Sequence, residues 1–387
     1  MYRILFTFIV FVASVGCSMA QNWVTTWAAA QQVIEPKNNP PIALANETFR
    51  QIVQVSIPGE QMRLRLSNRY SREDLEINAV EIAEAKSAGA SSDIEELTTC
   101  QLTFNGSKSV VIKAGEEIYA DVCDFKITPR MNIAITIHYG KAPLNIITGH
   151  PSSRTTSYFM DKSISTEHWY TIESIDVIAG KKGRAIAVIG NSITDGRGST
   201  TNGQNRWPDV LSERLLKNKA TRDVSVLNFG IGGNCVVEGG LGPTVKRRYQ
   251  HDIFGMSGVK YVILFEGVND LGGARDAVAK ADQIIEVYKQ IIKEAHEKGM
   301  KVYGGTVMPF KYSFYDFGNH EAGRQHLNEW IRSCKDFDAV LDFDAVMSGT
   351  LEKDALNPIF LFENDWLHPN AIGYKKMGES INLKLFK

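Results

Sequence analysis

Two short polar segments in the second half of the sequence could together carry out nucleophilic catalysis. Segment 190–192 (Gly-Asn-Ser) offers a hydroxyl, and segment 365–369 (Asp-Trp-Leu-His-Pro) offers a carboxylate and an imidazole. A serine hydroxyl is a weak nucleophile near neutral pH and needs a base to take its proton. His368 is the candidate base for Ser192, and Asp365 would fix the tautomer of the ring and stabilise the imidazolium. Taken alone, segment 190–192 would equally well be a strand-to-loop turn.

Two further segments offer hydrogen-bond donors for the oxyanion that such an attack would create. Segment 228–234 (Asn-Phe-Gly-Ile-Gly-Gly-Asn) is rich in glycine, whose missing Cβ lets a backbone N–H approach the substrate. Segment 267–270 (Gly-Val-Asn-Asp) contains Asn269, and Asp270 is expected to cap the element that follows. The predicted donors are the N–H groups of Ser192 and Gly233 and the Asn269 amide, with Gly232 as the alternative to Gly233.

Together, the four segments resemble the SGNH, or GDSL, hydrolase family, whose name lists the serine, glycine, asparagine and histidine of its four blocks. The resemblance covers about half of the chain. It implies that Ser192 is the nucleophile, that Gly233 and Asn269 are oxyanion donors, and that His368 is the base with Asp365 as its partner. The family usually has aspartate where this chain has Asn191, so an Asn191→Asp exchange is expected to leave activity similar or higher. The whole chain looks like secreted bacterial members in which a β domain precedes the hydrolase domain.

The hydropathy pattern predicts an α/β fold that would bring the four segments together. Apolar strand-like runs at residues 185–189, 224–227, 259–265, 301–307 and 339–343 alternate with helical segments. The clearest helix has an apolar face over residues 281–295 and ends near Gly299. Strands separated by helices indicate a mostly parallel, five-stranded sheet in a three-layer α/β/α, flavodoxin-like hydrolase domain. In such a sheet, the loops that follow the strands open at one edge.

The preceding region, residues 23–178, has the pattern of antiparallel β structure. Apolar and other residues alternate over residues 62–66 and 131–139, and turn signals separate short strands. We predict a jelly-roll-like antiparallel β-sandwich at residues 21–180, followed by the hydrolase domain at residues 181–387. The sandwich could bind glycan or pack beside the second domain and wall its site, and its polar segment 149–158 could reach toward that site.

The first residues indicate export. A charged start precedes the apolar run 4–15, as in a signal peptide at residues 1–20, and the run is too short to span a bilayer comfortably. Cleavage would follow Ala20, whereas lipidation of Cys17 is the alternative. We expect a periplasmic or extracellular protein or an outer-membrane lipoprotein. There, Cys100 and Cys123 could form a disulfide, or the four cysteines after Cys17 could be free thiols.

Composition and spacing argue against several other function classes. The 387 residues carry a net charge of −1, so no basic excess points to a nucleic-acid partner. Segment 320–326 places its two histidines six residues apart, which does not match the helical zinc motif. Segment 228–234 lacks nucleotide-binding spacing. We therefore expect neither metal nor cofactor, while the sequence leaves the oligomeric state open.

The expected activity is that of a serine esterase acting through an acyl-enzyme on an acylated small molecule or polysaccharide. Acetyl is the preferred acyl group, and polysaccharide is the preferred carrier. Lipase-like or lysophospholipase, thioesterase and arylesterase activities are the alternatives that the family resemblance leaves open. A non-catalytic glycan-binding protein is the alternative from another class.

Overall fold

The computed structural model describes residues 21–387. The predicted signal peptide and Cys17 lie outside the described residues. The chain consists of an antiparallel part (residues 21–178) and a parallel part (residues 184–387). Over residues 21–387, no helix combines the length and apolar character needed to cross a membrane.

Short strands make up the antiparallel part. They are β1 (Trp23–Ala28), β2 (Gln32–Val33), β3 (Thr48–Gln54), β4 (Met62–Ser67), β5 (Leu75–Glu84), β6 (Cys100–Gln101), β7 (Val110–Ile112), β8 (Glu117–Tyr119), β9 (Asn132–Tyr139), β10 (Thr148–His150), β11 (Ser157–Phe159), β12 (Ile164–Thr166), β13 (Trp169–Tyr170) and β14 (Ile172–Ile178).

These strands form three antiparallel sheets. One sheet has the order β1-β14-β4-β8, a second has β13-β10-β2, and the largest has β12-β11-β3-β9-β5-β6, with β7 paired to β5. Buried side chains of the first and largest sheets, such as Leu64 and Ile135, belong to one hydrophobic core. The predicted turn at residues 105–106 is present, with Asn105 and Gly106 both in the left-handed region. The antiparallel β-sandwich is confirmed.

The parallel part contains the remaining strands and the helices. They are β15 (Arg184–Gly190), α1 (Ser192–Asp195), α2 (Trp207–Lys217), β16 (Val224–Gly230), α3 (Val245–Tyr249), β17 (Val259–Phe265), α4 (Val268–Gly272), α5 (Ala277–Glu297), β18 (Lys301–Gly305), α6 (His320–Ser333), β19 (Ala339–Leu341), α7 (Phe343–Met347) and α8 (Ala371–Ser380).

The five strands of this part form one parallel sheet with the order β16-β15-β17-β18-β19. This is the flavodoxin-like order, and its direction reverses beside β15, where open α/β sheets place their sites. Residues 185–189 of β15 are fully buried because both faces of the sheet are covered. The predicted α/β fold is confirmed.

The observed element ends differ slightly from the sequence prediction, for local reasons. Helix α5 starts after Asp276, whose side chain accepts hydrogen bonds from two backbone N–H groups of the first turn. Two residues past its end, Gly299 has the left-handed φ of 69° that a helix stop requires. The strand predicted over residues 339–343 ends at Leu341, because Asp342 caps helix α7 directly after it.

The two parts are joined along an edge of the parallel sheet. Strand β14 ends at Ile178 and β15 begins at Arg184, so the predicted division at residue 180 lies between the last antiparallel and first parallel strand. Beyond β1, Ala29 forms a parallel bridge to Asn228 of the edge strand β16. The Val226 N–H donates to Ser56 Oγ over 3.2 Å. The sandwich therefore covers a sheet edge that would otherwise be open to pairing.

Candidate active site

The four polar segments meet at the carboxyl edge of the parallel sheet, around a cavity of about 530 Å³. Loops after β15, β16 and β17 supply three of them, and the segment before α8 supplies the fourth. Every predicted site residue lines this cavity: Ser192, Gly232, Gly233, Asn269, Asp365 and His368. The structure therefore brings together residues that lie up to 176 positions apart in sequence.

Ser192, His368 and Asp365 form a continuous hydrogen-bonded chain. Ser192 Oγ lies 2.8 Å from His368 Nε2, and His368 Nδ1 lies 2.6 Å from Asp365 Oδ2. Because a carboxylate only accepts, the ring proton belongs on Nδ1, which leaves Nε2 free to accept from the serine hydroxyl. Burial raises the pKa of Asp365, but hydrogen bonds from the His368 ring and from two backbone N–H groups outweigh it, so the net pKa is lowered. The carboxylate therefore stays ionised beside the histidine.

Close packing of backbone at the strand ends positions the serine. Ser192 is the first residue of α1, which lies across the ends of β15 and β16. A Cβ on Gly230 would lie 2.2 Å from Asp195 N, and one on Gly190 would lie 2.1 Å from Thr194 Oγ1. Both glycines are therefore needed for α1 to approach the sheet and present Ser192 to the cavity.

The predicted oxyanion donors face the same space. Gly233 has a left-handed φ of 69°, and within residues 21–387 the N–H groups of Gly232 and Gly233 have no acceptor. The Asn269 amide donates one hydrogen bond to Asn234 O over 2.7 Å, and its oxygen accepts from Tyr315 Oη over 2.9 Å. These two contacts fix the amide plane, so its second N–H is directed by the fold. The N–H group of either Gly232 or Gly233 can therefore be the donor that the glycine loop supplies to the oxyanion.

Arg248, which the sequence prediction missed, ties the strand ends to the glycine loop. Its guanidinium is buried and donates to Gly190 O, Phe229 O and Asn234 Oδ1 over 2.8–3.2 Å. Asp252 neutralises its charge at 2.7 Å. A single side chain thus links the ends of β15 and β16 to the loop that carries the glycine donors. Its place in a helical segment gave no signal of this role.

Asp270 has a different role from the predicted cap. It lies inside α4, and its carboxylate accepts from the N–H groups of Val236 and Val237 at 2.8 and 3.0 Å. The expectation that it caps the following element is therefore wrong, because the glycine loop folds back onto α4 and takes both oxygens. Burial raises the pKa of Asp270 to about 6, and the two backbone hydrogen bonds limit the rise.

A buried glutamate explains why asparagine can precede the serine. Asn191 Oδ1 accepts from Ile193 N over 2.9 Å, and its amide donates to Glu266 Oε2 over 2.7 Å. Glu266 also accepts from Gly267 N at 2.8 Å. Burial, together with the nearby charge of Asp270, raises the pKa of Glu266 to about 8. The side chain before the nucleophile is therefore both an acceptor and a donor, and an aspartate would only accept.

The sandwich forms one wall of the site. Pro151, Ser152 and Arg154 line the cavity, so the expectation that segment 149–158 reaches the site is confirmed. His150 bridges the two parts: its Nδ1 lies 2.9 Å from Ala30 O, and its Nε2 lies 3.1 Å from Asp195 Oδ1. Since Asp195 ends helix α1, the sandwich directly contacts the element that carries Ser192.

One cluster of potential metal ligands lies outside this cavity. Over residues 21–387, Glu117, Glu173 and His251 have ligand atoms within 4.8 Å of one another. Arg65 forms an ion pair with Glu117 and lies 3.4 Å from Glu173. The guanidinium and the imidazole already supply positive charge there, which favours an ion-pair network over a cation site. We assign this cluster no part in the site.

Residues 188–376 match the model of the GDSL-like lipase/acylhydrolase family. The parallel part of this chain belongs to that family. The resemblance drawn from the four sequence segments is therefore confirmed. As the family name states, GDSL-like enzymes are lipases and acylhydrolases, which act on acylated substrates.

Three solved structures are similar to about half of the chain. A GDSL-like lipase from Bacteroides thetaiotaomicron is 21% identical, with 51% of this chain and 85% of that chain covered and a TM-score of 0.38. An acetyl xylan esterase from Geobacillus stearothermophilus is 20% identical, with 53% and 94% covered and a TM-score of 0.41. An alpha/beta hydrolase enzyme from the metagenome of Lake Arreo is 20% identical, with 51% and 93% covered and a TM-score of 0.38. No curated protein matches this chain in sequence.

Proposed function

We propose that this GDSL-like hydrolase is an exported serine esterase that removes short acyl groups, acetyl first among them, from a polysaccharide. The observation that carries the proposal is the chain of hydrogen bonds from Asp365 through His368 to Ser192, which faces an open cavity beside unpaired backbone donors. A nucleophile, its base, an orienting acid and oxyanion donors are the parts that acyl transfer requires.

The reaction follows from this arrangement in two steps. Ser192 Oγ attacks the ester carbonyl while His368 Nε2 takes its proton, and the carbonyl oxygen becomes an oxyanion held by the N–H donors. The C–O bond to the alcohol then breaks, and His368 returns the proton to the leaving alkoxide. Water, deprotonated by the same histidine, attacks the acyl-Ser192 ester, releasing the acid and restoring the serine. Asp365 stays ionised and stabilises the imidazolium in both steps.

The cavity walls support a polysaccharide as the carrier. Two aromatic side chains belong to the lining: Phe314 is 64% exposed, and its ring lies 4.3 Å from that of Tyr315. Exposed rings offer flat apolar faces to the C–H faces of sugars. The opposite side is polar and comes from the sandwich, including Gln32, Asn38 and Ser152. A wide opening between two parts of the protein suits a chain of sugars better than a small buried ligand.

The same lining supports a short acyl group. The apolar and aromatic side chains among its residues are Pro151, Leu241, Phe314, Tyr315 and Leu367, and the other lining residues are polar or glycine. A long acyl chain would remain largely in contact with water or polar groups, at a cost of about 0.8 kcal/mol per unburied CH₂. We therefore expect kcat/KM to fall from acetate to octanoate in a series of aryl esters. The opposite order would favour the lipase-like alternative.

The decisive experiment is Ser192→Ala. We expect the variant to lose at least about a thousandfold in kcat for a small aryl acetate, with an unchanged circular dichroism spectrum. Acetate release from a panel of acetylated polysaccharides then identifies the carrier. Activity near that of the wild type in Ser192→Ala would overturn the proposal. Glycan binding by the wild type without ester turnover, and without labelling of Ser192 by a fluorophosphonate, would instead support the glycan-binding alternative.

A further inference from the structure

We propose that the cavity contains a carboxylate-binding subsite formed by Arg154 and Arg197, and that the substrate is an acylated glycan containing uronate residues. The inference rests on the proposed function and specifies its substrate class. Arg197 follows helix α1, and its backbone N–H donates to Ser192 O over 2.9 Å. Arg154 comes from the sandwich, and both residues line the cavity around Ser192. Each part of the protein therefore contributes one arginine.

Arg154 is half-buried and Arg197 is exposed, and both differ from three arginines that the fold buries beside an acidic partner. Arg206 pairs with Asp209, Arg248 with Asp252, and Arg324 with Asp344. Across residues 21–387, by contrast, the side chains of Arg154 and Arg197 form neither an ion pair nor a hydrogen bond, and Arg154 Nε is buried without a partner. A buried donor without a partner costs free energy, and a ligand that supplies an acceptor to these guanidinium groups would offset that cost at Arg154.

The two guanidinium groups act on the same region. Burial raises the pKa of Tyr374, and the charges of Arg154 and Arg197 both oppose that rise. The Tyr374 hydroxyl donates to Arg197 O over 2.6 Å, which places the phenol beside the turn that follows α1. Both positive charges therefore act on one buried phenol, and both arginines line the cavity that contains Ser192.

The acidic groups of the cavity are bound to side chains other than the two arginines. Asp365 is bound to His368, and Asp195 contacts His150. Glu35 accepts from Gln32 at 2.7 Å and from Asn38 at 2.9 Å, which occupies both of its oxygens. Lys37 lines the same space as a third cation. Three cations and three carboxylates thus line the cavity, and no carboxylate pairs with Arg154 or Arg197, so both guanidinium groups remain open to an anion from a ligand.

The backbone around Arg154 is held in a strained shape. Ser152 and Arg154 have left-handed φ angles of 61° and 55°, which non-glycine residues adopt at a cost. A loop of the parallel part clamps this segment: Asn202 N donates to Arg154 O, and Thr156 N donates to Asn202 Oδ1, both over 2.8 Å. The parallel part of the protein therefore holds Arg154 in this strained backbone conformation, which fits a residue whose side chain must be positioned in the cavity.

The guanidinium fork specifies a carboxylate among anions. Its parallel N–H groups match the two oxygens of a carboxylate and give bidentate, charge-assisted hydrogen bonds. In a polysaccharide, uronate residues supply that group on the same sugar backbone as the acyl ester. Binding the carboxylate at Arg154 and Arg197 would set the distance from the sugar to Ser192 and so select which ester is cleaved.

The test uses two forms of one acetylated oligouronate, with its carboxyl groups either free or methyl-esterified. We expect wild-type kcat/KM to favour the free acid by about tenfold to a hundredfold, as for hydrogen bonds to charged groups. Arg154→Gln and Arg197→Gln should each lower that ratio several-fold, and Arg197→Lys, which keeps the charge but loses the fork, should give an intermediate ratio. Arg222→Gln is the control, because this exposed arginine precedes β16 at the opposite edge of the sheet.

Equal cleavage of both forms would overturn the carboxylate subsite. A stronger preference for a sulfated glycan that contains no uronate would also overturn it. Ser192-dependent hydrolysis of a small aryl acetate separates this result from failure of the esterase proposal. Binding of deacetylated oligouronate to Ser192→Ala, measured by calorimetry, tests the subsite without turnover. We expect that binding to weaken about tenfold or more in Ser192→Ala/Arg197→Gln, and an unchanged affinity would also overturn the inference.

Discussion

At the scale of single residues, the pair Asn191 and Glu266 shows how the nucleophile is held. Asn191 hydrogen-bonds the first turn of α1 through its oxygen and Glu266 through its amide. The sequence alone suggested that aspartate would serve as well or better, because it shows the family's usual residue but not the neighbour. The buried carboxyl group opposite changes that expectation, since two acceptors would face each other once Glu266 is ionised.

We therefore predict that Asn191→Asp lowers activity and does so more strongly as pH rises. The pKa of Glu266 is raised to about 8, so near pH 6 its carboxyl carries a proton that can be shared with Asp at position 191. Above about pH 8 both groups would be ionised and would repel each other. The pH profile of kcat should thus fall about tenfold further than that of the wild type between pH 6 and pH 9.

The control is Asn191→Asp combined with Glu266→Gln. The glutamine restores a donor to the pair, so the alkaline loss should disappear. A single variant with a profile like that of the wild type would show that the contact between the two side chains does not position Ser192.

At the scale of elements, the glycine loop after β16 depends on a carboxylate from the next helix. We predict that Asp270→Ala leaves the Val236 and Val237 N–H groups without acceptors, destabilises the fold by about 1–3 kcal/mol and lowers kcat more than it raises KM. The reason is that the oxyanion donors Gly232 and Gly233 lie in the loop that Asp270 anchors. Asp276→Ala, which removes an exposed helix cap, should lower stability without changing kcat. Equal kcat values in the two variants would contradict the role of Asp270.

The two large sheets of the sandwich meet at a pair of cysteines. Cys100 lies in β6 of the largest sheet. Cys123 pairs through its backbone, as an isolated antiparallel β-bridge, with Met62 of β4. Their sulfur atoms are 2.7 Å apart, closer than two thiols in van der Waals contact. We predict a disulfide in protein prepared under oxidising conditions, and it should stabilise the sandwich by about 3 kcal/mol because it closes a 23-residue loop.

The bond can be checked by the intact mass, which should be lower by two hydrogen atoms before reduction than after it. Cys100→Ser should abolish that difference and lower the melting temperature, whereas Cys334→Ser should preserve the difference. Detection of both Cys100 and Cys123 as free thiols in unfolded, non-reduced protein would contradict the prediction.

At the scale of the whole molecule, an ion-pair network helps to join the two parts. His251 of the parallel part has its Nε2 3.0 Å from both Glu117 and Glu173 of the sandwich, and Asp252 lies 3.1 Å from its Nδ1. Arg65 and Arg69 also face Glu117. Burial lowers the pKa of His251, but hydrogen bonds to the three carboxylates outweigh it and raise the pKa to about 11.

We predict that this histidine makes stability fall in alkaline solution. Its pKa is higher in the folded state than the unfolded value of about 6.5, so its contribution is complete below pH 6.5 and is lost as pH rises toward 11. His251→Gln should cost about 3–5 kcal/mol at pH 6, since it leaves buried carboxylates without their partner, and should flatten the decline of melting temperature from pH 7 to pH 10. His296→Gln, which removes an exposed pair with Asp338, should change neither the stability at pH 6 nor the alkaline decline of the melting temperature. An unchanged alkaline slope in His251→Gln would refute this assignment.

The sequence alone was sufficient for the α/β fold, the β-sandwich and six of the residues that line the cavity. Those features are local: apolar runs mark strands, glycines mark turns that need close backbone approach, and the histidine and its acid are three residues apart. Only the tertiary structure showed the roles of Arg248, Glu266, Asp270 and His150, and the placement of Arg154 and Arg197 in one cavity. Each of these features depends on groups from distant segments of the sequence that folding brings together. A buried charge or donor is defined by its neighbours, and sequence spacing does not encode which neighbours the folded chain provides.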